Sequence, residues 1–227
     1  MDFDRHAETY QEAVYQAAGV SVETLAAEKA RMILNVLADY VGDPTQLQVL
    51  DIGCGIGLID HALDGSVAKL CGVDTSLRSL EIARTRAPTT CFVHFDGATL
   101  PFVNSSFDAA FASCVLHHVP PDVRRNFMLE MLRPLRPKGA VIVIEHNPLN
   151  PVTRRAVSRC AFDADAVLLR GSETVRLIAE AGATVIGRRY VGFSPFRNTL
   201  VERAESFIGW LPFGTQYCVW GIKTRQA

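Results

Sequence analysis

The stretch Val49-Leu50-Asp51-Ile52-Gly53-Cys54-Gly55-Ile56-Gly57 decides the reading of this chain. An apolar run passes directly into three glycines at alternate positions. Glycine there lets the backbone turn tightly and lets a ligand approach main-chain atoms that a Cβ would shield. A GxGxG by itself is weak, since such turns occur in many α/β folds. Its surroundings strengthen it: a helical pattern follows, and Asp74 arrives at the end of the next apolar run, 17 residues after Gly57. A carboxylate so placed can accept both hydroxyls of a ribose. The dinucleotide fingerprint is GxGxxG, however, and here position 58 is Leu. Asp51 would also repel a pyrophosphate, while it could orient the turn or face a cationic ligand.

Outward from this stretch, short apolar runs alternate with helical segments: Leu47-Ile52, Leu58-Leu63, Ala68-Val73, Leu77-Arg84, Cys91-Phe95, Ala109-Val115, Asp122-Leu132 and Ala140-Glu145. The runs are too uniformly apolar to have a wet face, which predicts a parallel sheet covered by helices on both sides. Two helices are predicted before it, Asp4 to Ala18 and Val22 to Tyr40. After Glu145 the rhythm breaks: Asn147 to Arg170 holds Pro148, Pro151 and four arginines, with no clear strand. A helix is expected to resume with Ser172 as its N-cap and to end near Gly182. Strands are then expected at about Thr184 to Gly192 and Thr215 to Lys223, with Val201 to Trp210 helical or looped between them.

A chain of 227 residues with 48% hydrophobic content can bury a substantial core, which excludes disordered, collagen-like and disulfide-scaffold architectures. No repeat or linker divides it, so one domain is expected. The formal net charge of -1 removes any global pull toward nucleic acid. Six cysteines lie far apart without a CxxC pair, so buried free thiols and no metal site are expected. The acidic start Met1-Asp2-Phe3-Asp4-Arg5 lacks the basic, apolar character of a signal peptide, which makes a cytoplasmic location the expectation. Ser206 to Ile222 has no charge, but Gly209, Pro212, Gly214 and Gln216 interrupt it. It reads as a helix end, a turn and a strand rather than a membrane span.

The motifs together carry a resemblance. Residues 49–57 (VLDIGCGIG) followed by 72–76 (GVDTS) are similar to motif I and its successor in the class I S-adenosylmethionine-dependent methyltransferases. His94-Phe95-Asp96-Gly97 with Leu100-Pro101-Phe102 resembles the segment that ends the family's third strand. Phe107-Asp108 through Ser113-Cys114-Val115-Leu116-His117-His118-Val119 resembles motif IV of the small-molecule branch. Leu132 to Ala140 resembles the turn into the fifth strand, and Phe3 to Tyr10 the family's N-terminal segment. The resemblance spans residues 3 to 146 and points toward the quinone- and biotin-pathway methyltransferases. It implies a doubly wound, Rossmann-like, seven-stranded sheet, mostly parallel with an antiparallel last strand. It also implies S-adenosylmethionine as methyl donor and S-adenosylhomocysteine as product. Within one domain, 1–41 would form a helical lid, 47–146 the cofactor core, 147–171 a substrate-side insertion, and 172–227 the last helix and strands.

Site residues follow from the same match. Gly53, Cys54, Gly55 and Gly57 would cradle the cofactor, the bland alternative being an ordinary strand-to-helix turn. Asp74 would hold the ribose rather than merely start a helix, with Thr75 adding a backbone contact. Asp96, beside Gly97, would take the adenine amine, against a turn-forming Asp-Gly pair. Asp51 is as readily structural as ligand-binding. Ser113 would meet the methionine ammonium, and Tyr10 would close over that end. His117, His118 and His146 are the candidates for a polar hand on the substrate, against packing or loop-capping roles. Arg154, Arg155 and Arg159 read as a solvated helical face. The segment Ser113 to Leu116 is not the Asn/Asp-Pro-Pro-Tyr sequence of amino-methylating enzymes, which favours a small-molecule acceptor. The apolar residues Val157, Phe162, Val167, Leu168 and Leu169 suggest that it is partly hydrophobic. A SAM-binding partner or sensor without catalysis is the alternative, and the GxGxG spacing disfavours a nucleotide-dependent oxidoreductase. The sequence leaves the oligomeric state open.

Overall fold

In the structure, a computed structural model, residue 4 and residues 7–19, 21–193 and 207–224 are described. Seven strands form one sheet: β1 (Gln48–Ile52), β2 (Lys69–Asp74), β3 (Cys91–His94), β4 (Phe107–Ser113), β5 (Leu135–His146), β6 (Ala183–Val191) and β7 (Gln216–Lys223). Their spatial order is β3-β2-β1-β4-β5-β7-β6. Strands β1 to β5 pair in parallel, and β7 runs antiparallel between β5 and β6. The chain steps outward from β1 to β3 and then returns to β4 on the other side of β1. That reversal opens a crevice at the carboxyl ends of β1 and β4, the place where sheets of this kind bind ligands. The doubly wound sheet with an antiparallel last strand is therefore as expected.

Period-two alternation sends successive strand residues to opposite faces. On β1, Leu50 and Ile52 face one core with Met128, Met131 and Ile178, while Val49 faces the other with Ile33, Leu37 and Leu63. Strand β5 divides likewise, Val141 and Val143 against Ile142 and Ile144. The covering helices are α1 (Tyr10–Ala18), α2 (Val22–Tyr40), α3 (Leu58–Leu63), α4 (Leu77–Arg86), α5 (Arg124–Leu132), α6 (Pro151–Val157) and α7 (Gly171–Glu180). None of the described helices is long and apolar enough to cross a membrane.

Several boundaries differ from the sequence reading. Helix α1 begins at Tyr10, not Asp4; Asp4 instead accepts from Ser76 Oγ at 2.5 Å and from the Arg78 amide, tying the N-terminal segment to α4. Residues 147–170 contain α6, whose start Asn150-Pro151 is a cap: Asn150 Oδ1 accepts from the amides of Val152 and Thr153. Helix α7 starts one residue before Ser172, with Arg170 as its N-cap. Gly171 packs there against Arg188, whose Cδ an added Cβ would approach to 2.9 Å, and Arg170 caps without a side-chain hydrogen bond. Strand β5 begins at Leu135 rather than Ala140. Of the expected segment Val201 to Trp210, residues 201–206 lie outside the described residues, and 207–208 are helical.

Arg124, in the first turn of α5, is fully buried although a cation there opposes the helix dipole. Three acceptors outweigh that cost. Nε donates to the Val119 carbonyl at 3.0 Å, Nη1 to Glu173 at 3.2 Å and Nη2 to the Val167 carbonyl. The side chain thereby joins the loop after β4, the insertion and α7. Arg124→Met should lower unfolding stability by about 2 to 4 kcal/mol in urea titration, because the acceptors lose a charged donor while the volume is kept. A variant as stable as the parent would show that these bonds contribute no net stability.

Candidate functional site

The turn after β1 is built from its own amides. Gly53 N–H and Cys54 N–H both donate to the Val73 carbonyl, at 2.8 and 3.0 Å. Gly55 N–H donates to Asp74 Oδ2 at 2.8 Å, and Ser76 N–H to Asp74 Oδ1 at 2.9 Å. Asp74 therefore fixes the glycine turn and the start of α4 together. Two of the glycines are required by space as well as by their positive φ. A Cβ on Gly53 would lie 2.5 Å from Val115 Cγ2, and one on Gly57 only 3.0 Å from the Ala83 backbone Cα. A Cβ on Gly55 would meet nothing within 4 Å.

That open side belongs to a cavity of about 370 Å³ at the crevice. Gly53, Cys54, Gly55, Asp74, Thr75 and Gly97 line one end of it. Tyr10, Asp51, Ser113, Cys114 and Lys29 line the middle. His118, with Val119, Pro120, Val123 and Phe127, lines an apolar end. Gly57 faces Ala83 instead and serves helix packing. Asp96 is exposed: its Oδ1 accepts from the amides of Ala98 and Thr99, both at 2.8 Å, while its neighbours Phe95 and Gly97 reach the cavity. Tyr10 meets Phe162 edge-on, ring centroids 4.9 Å apart, so α1 and the insertion touch over the cavity. Of the apolar insertion residues, Phe162 lines the cavity and Leu169 belongs to the core. Arg154, Arg155 and Arg159 are exposed, as expected of a solvated face.

The middle of the cavity is polar and strained. Cys114 sits at φ +59°, a left-handed conformation costly for a side chain with a Cβ. Its Sγ accepts from Lys29 Nζ at 3.3 Å and Gln216 Nε2 at 3.4 Å. Burial pushes this thiol up, but the Lys29 ammonium and His146 outweigh it and bring its pKa down to about 6. Ser113 Oγ and Asp51 Oδ1 are buried with no hydrogen-bond partner among the described residues. Both face the cavity, so polar atoms await donors from something that enters it. Burial and the neighbouring Asp60 raise the Asp51 carboxyl well above its ordinary value. Asp60, also buried, is raised to about 7, burial being the main cause. Lys29 and Asp60 escaped the sequence reading. Lys29 was visible, since Leu25, Ala26, Ala30 and Ile33 surround it on the apolar face of α2.

The three histidines separate. His117 is buried and does not line the cavity; its Nδ1 bonds Glu145 Oε2 at 2.6 Å, and its Nε2 lies 3.3 Å from Asp163 Oδ1. Burial favours its neutral ring, but Glu145 and Asp163 hold it protonated well above the usual histidine range. Glu145 Oε1 also accepts the amides of Val115 and Leu116 at 2.9 and 2.6 Å, which anchors the loop after β4. His118 does reach the cavity, and burial and His117 push its pKa down. His146 lies beside Cys114, its ring tilted 47° to that of His117 with centroids 5.1 Å apart, and it is not among the residues that line the cavity. Glu145 and Asp163 were not anticipated; Asp163 comes from 46 positions away along the chain.

Residues 50–143 match the family model described as a methyltransferase domain. The demethylmenaquinone methyltransferase of Renibacterium salmoninarum is 29% identical over 56% of this chain and 52% of its own length. The ubiquinone biosynthesis O-methyltransferase of Rhizobium etli is 29% identical over 67% of this chain and 66% of its own. The chain resembles the class I S-adenosylmethionine-dependent methyltransferases. A SAM-dependent methyltransferase from Thermotoga maritima has the same fold, with a TM-score of 0.70 at 18% identity, covering 98% of each chain. The chain spans about half the length of the first of its curated relatives. S-adenosylmethionine is the donor the family uses, and the orphaned Ser113 Oγ and Asp51 Oδ1, with Gly55 open to the cavity, fit it.

The depressed thiol gives this site a measurable signature. Cys114 titrates at about 6 when folded against an ordinary 9.0, so its pairing favours the folded state above pH 9 and that contribution is lost as pH falls through about 6. Alkylation of Cys114 by iodoacetamide, followed by peptide mass spectrometry, should show an inflection near pH 6 and slow when S-adenosylhomocysteine is present. Lys29→Gln should move the inflection upward; an inflection near pH 9 in the parent chain would refute the pairing.

Proposed function

We propose that this chain transfers a methyl group from S-adenosylmethionine to oxygen, carbon or nitrogen of a small, partly hydrophobic acceptor. The observation that carries the reading is one cavity with two ends. The glycine turn and Asp74 stand at one, apolar side chains and His118 at the other, and orphaned polar atoms lie between them. At the first end the Gly55 side of the turn admits a ligand to the backbone, and Asp74 accepts ribose hydroxyls with lone pairs its two amides leave over. Thr75 and Gly97 flank the nucleoside, with Asp96 at the rim of the adenine end. In the middle, Asp51 and Ser113 accept from the methionine ammonium, and Lys29 attracts the methionine carboxylate. Tyr10 and Phe162 cover this region and keep water out, the lid role expected of the N-terminal helices and the insertion.

The donor supplies a methyl on a positive sulfur, displaced in line, so the protein's work is chiefly alignment and exclusion of water. Proximity of this kind can supply about 7 to 11 kcal/mol toward such a step. The apolar end shapes the acceptor, and His118 places its polar atom. The names of the quinone-pathway relatives support a ring-bearing phenol or quinol as the acceptor class.

Calorimetry tests the donor half. S-adenosylhomocysteine should bind and NAD should not, and Asp74→Asn should weaken binding about 10- to 100-fold, or ~1 to 3 kcal/mol, for lost hydrogen bonds to a buried ligand. Absence of S-adenosylhomocysteine binding would sink the reading. Transfer of label from methyl-labelled S-adenosylmethionine to a panel of small phenols and quinols tests the acceptor half.

A further inference from the structure

We propose a divalent transition-metal site formed by His117 Nε2, His118 Nε2 and Asp163 Oδ1. One ligand atom from each of the three residues lies within 4.8 Å of the other two. An ion with bonds of about 2.0 to 2.1 Å and tetrahedral angles sets its donors about 3.4 Å apart. The two histidine nitrogens stand 3.3 and 3.6 Å from the same Asp163 oxygen. Charge-assisted hydrogen bonds between such groups close to about 2.7 to 2.9 Å. Both nitrogens thus converge on one oxygen at a separation that suits a shared ion better than a direct bond.

The outer shell has the same form. His117 Nδ1 is held by Glu145 Oε2 at 2.6 Å, and His118 Nδ1 lies 3.4 Å from Asp165 Oδ1. A carboxylate behind each imidazole orients the ring and raises its basicity as a ligand, the arrangement found behind metal-bound histidines. Glu145 is itself fixed by the Val115 and Leu116 amides, so His117 has little freedom to turn away. Two imidazoles and one carboxylate suit borderline ions such as Zn²⁺, Fe²⁺ or Co²⁺, whereas Mg²⁺ and Ca²⁺ take oxygen sets. Three protein ligands leave coordination positions open. His118 lines the cavity, so those positions border the apolar end, where an ion would hold an oxygen or nitrogen of the methyl acceptor. That last step rests on the methyl-transfer reading; binding of the ion does not.

The experiment is titration of the full chain, free of any histidine tag and stripped with chelator, with Co²⁺. One equivalent should bind and develop visible d–d bands, which Zn²⁺ should abolish by displacement. His118→Gln and Asp163→Asn lie at the partly exposed rim and should each weaken Co²⁺ binding by more than ~10-fold. His61→Gln should leave it unchanged. S-adenosylhomocysteine calorimetry on the same samples reports on the fold and on the donor site independently, so loss of one result does not imply loss of the other. A parent chain without visible bands at saturating Co²⁺ would overturn the site. So would parent-like affinity in both rim variants.

Discussion

The Asp74 carboxylate is the constraint on which the ligand-binding end depends. It takes one amide from the glycine turn and one from the start of α4, so a single side chain fixes two backbone segments contributed by neighbouring strands. The turn is also held from below, where the Gly53 and Cys54 amides share the Val73 carbonyl. Burial pushes the Asp74 carboxyl up, and the amides of Ser76, Gly55 and Thr75 oppose it. The backbone bonds explain how this carboxylate can stand in the crevice without a cation beside it among the described residues.

Glu145 does the corresponding work at the other end. It lies at the end of β5, fully buried, and collects two amides and an imidazole from the loop that follows β4. That loop then positions His118 at the cavity and turns His117 toward the insertion. Arg124 completes the frame by bonding backbone carbonyls in both the loop and the insertion. Two carboxylates thus have different tasks, Asp74 at the cavity wall and Glu145 in the core behind it. Asp74 shapes a ligand cradle from amides, while Glu145 shapes a side-chain cluster through a histidine. Between them the chain keeps polar atoms unsatisfied, at Ser113 and Asp51, a cost that a bound ligand removes.

Much of this was legible in the chain. Alternation of apolar runs with helical spacing gave the layered sheet, because burial on both faces leaves few polar positions in a strand. The glycines and Asp74 were legible because backbone geometry demands particular residues at particular offsets. Asn150-Pro151 is a cap signal for α6 that the sequence reading passed over. The boundary of α7 was not legible, since Arg170 stands at its N-cap with no side-chain hydrogen bond to mark it. The roles of the three histidines were equally illegible. They are similar in local sequence, and only packing sends His118 to the cavity, His117 to Glu145 and His146 to Cys114.

By itself the sequence determined the sheet, the glycine turn and the place of Asp74 after it, since each depends on residue type at short separation along the chain. Only the tertiary structure decided the histidine side of the cavity. Lys29 meets Cys114 across 85 positions, and Asp163 meets His117 and His118 across more than 40. Charges brought together over such distances carry no local pattern, because their pairing is set by how whole elements pack and how far burial strengthens the interaction.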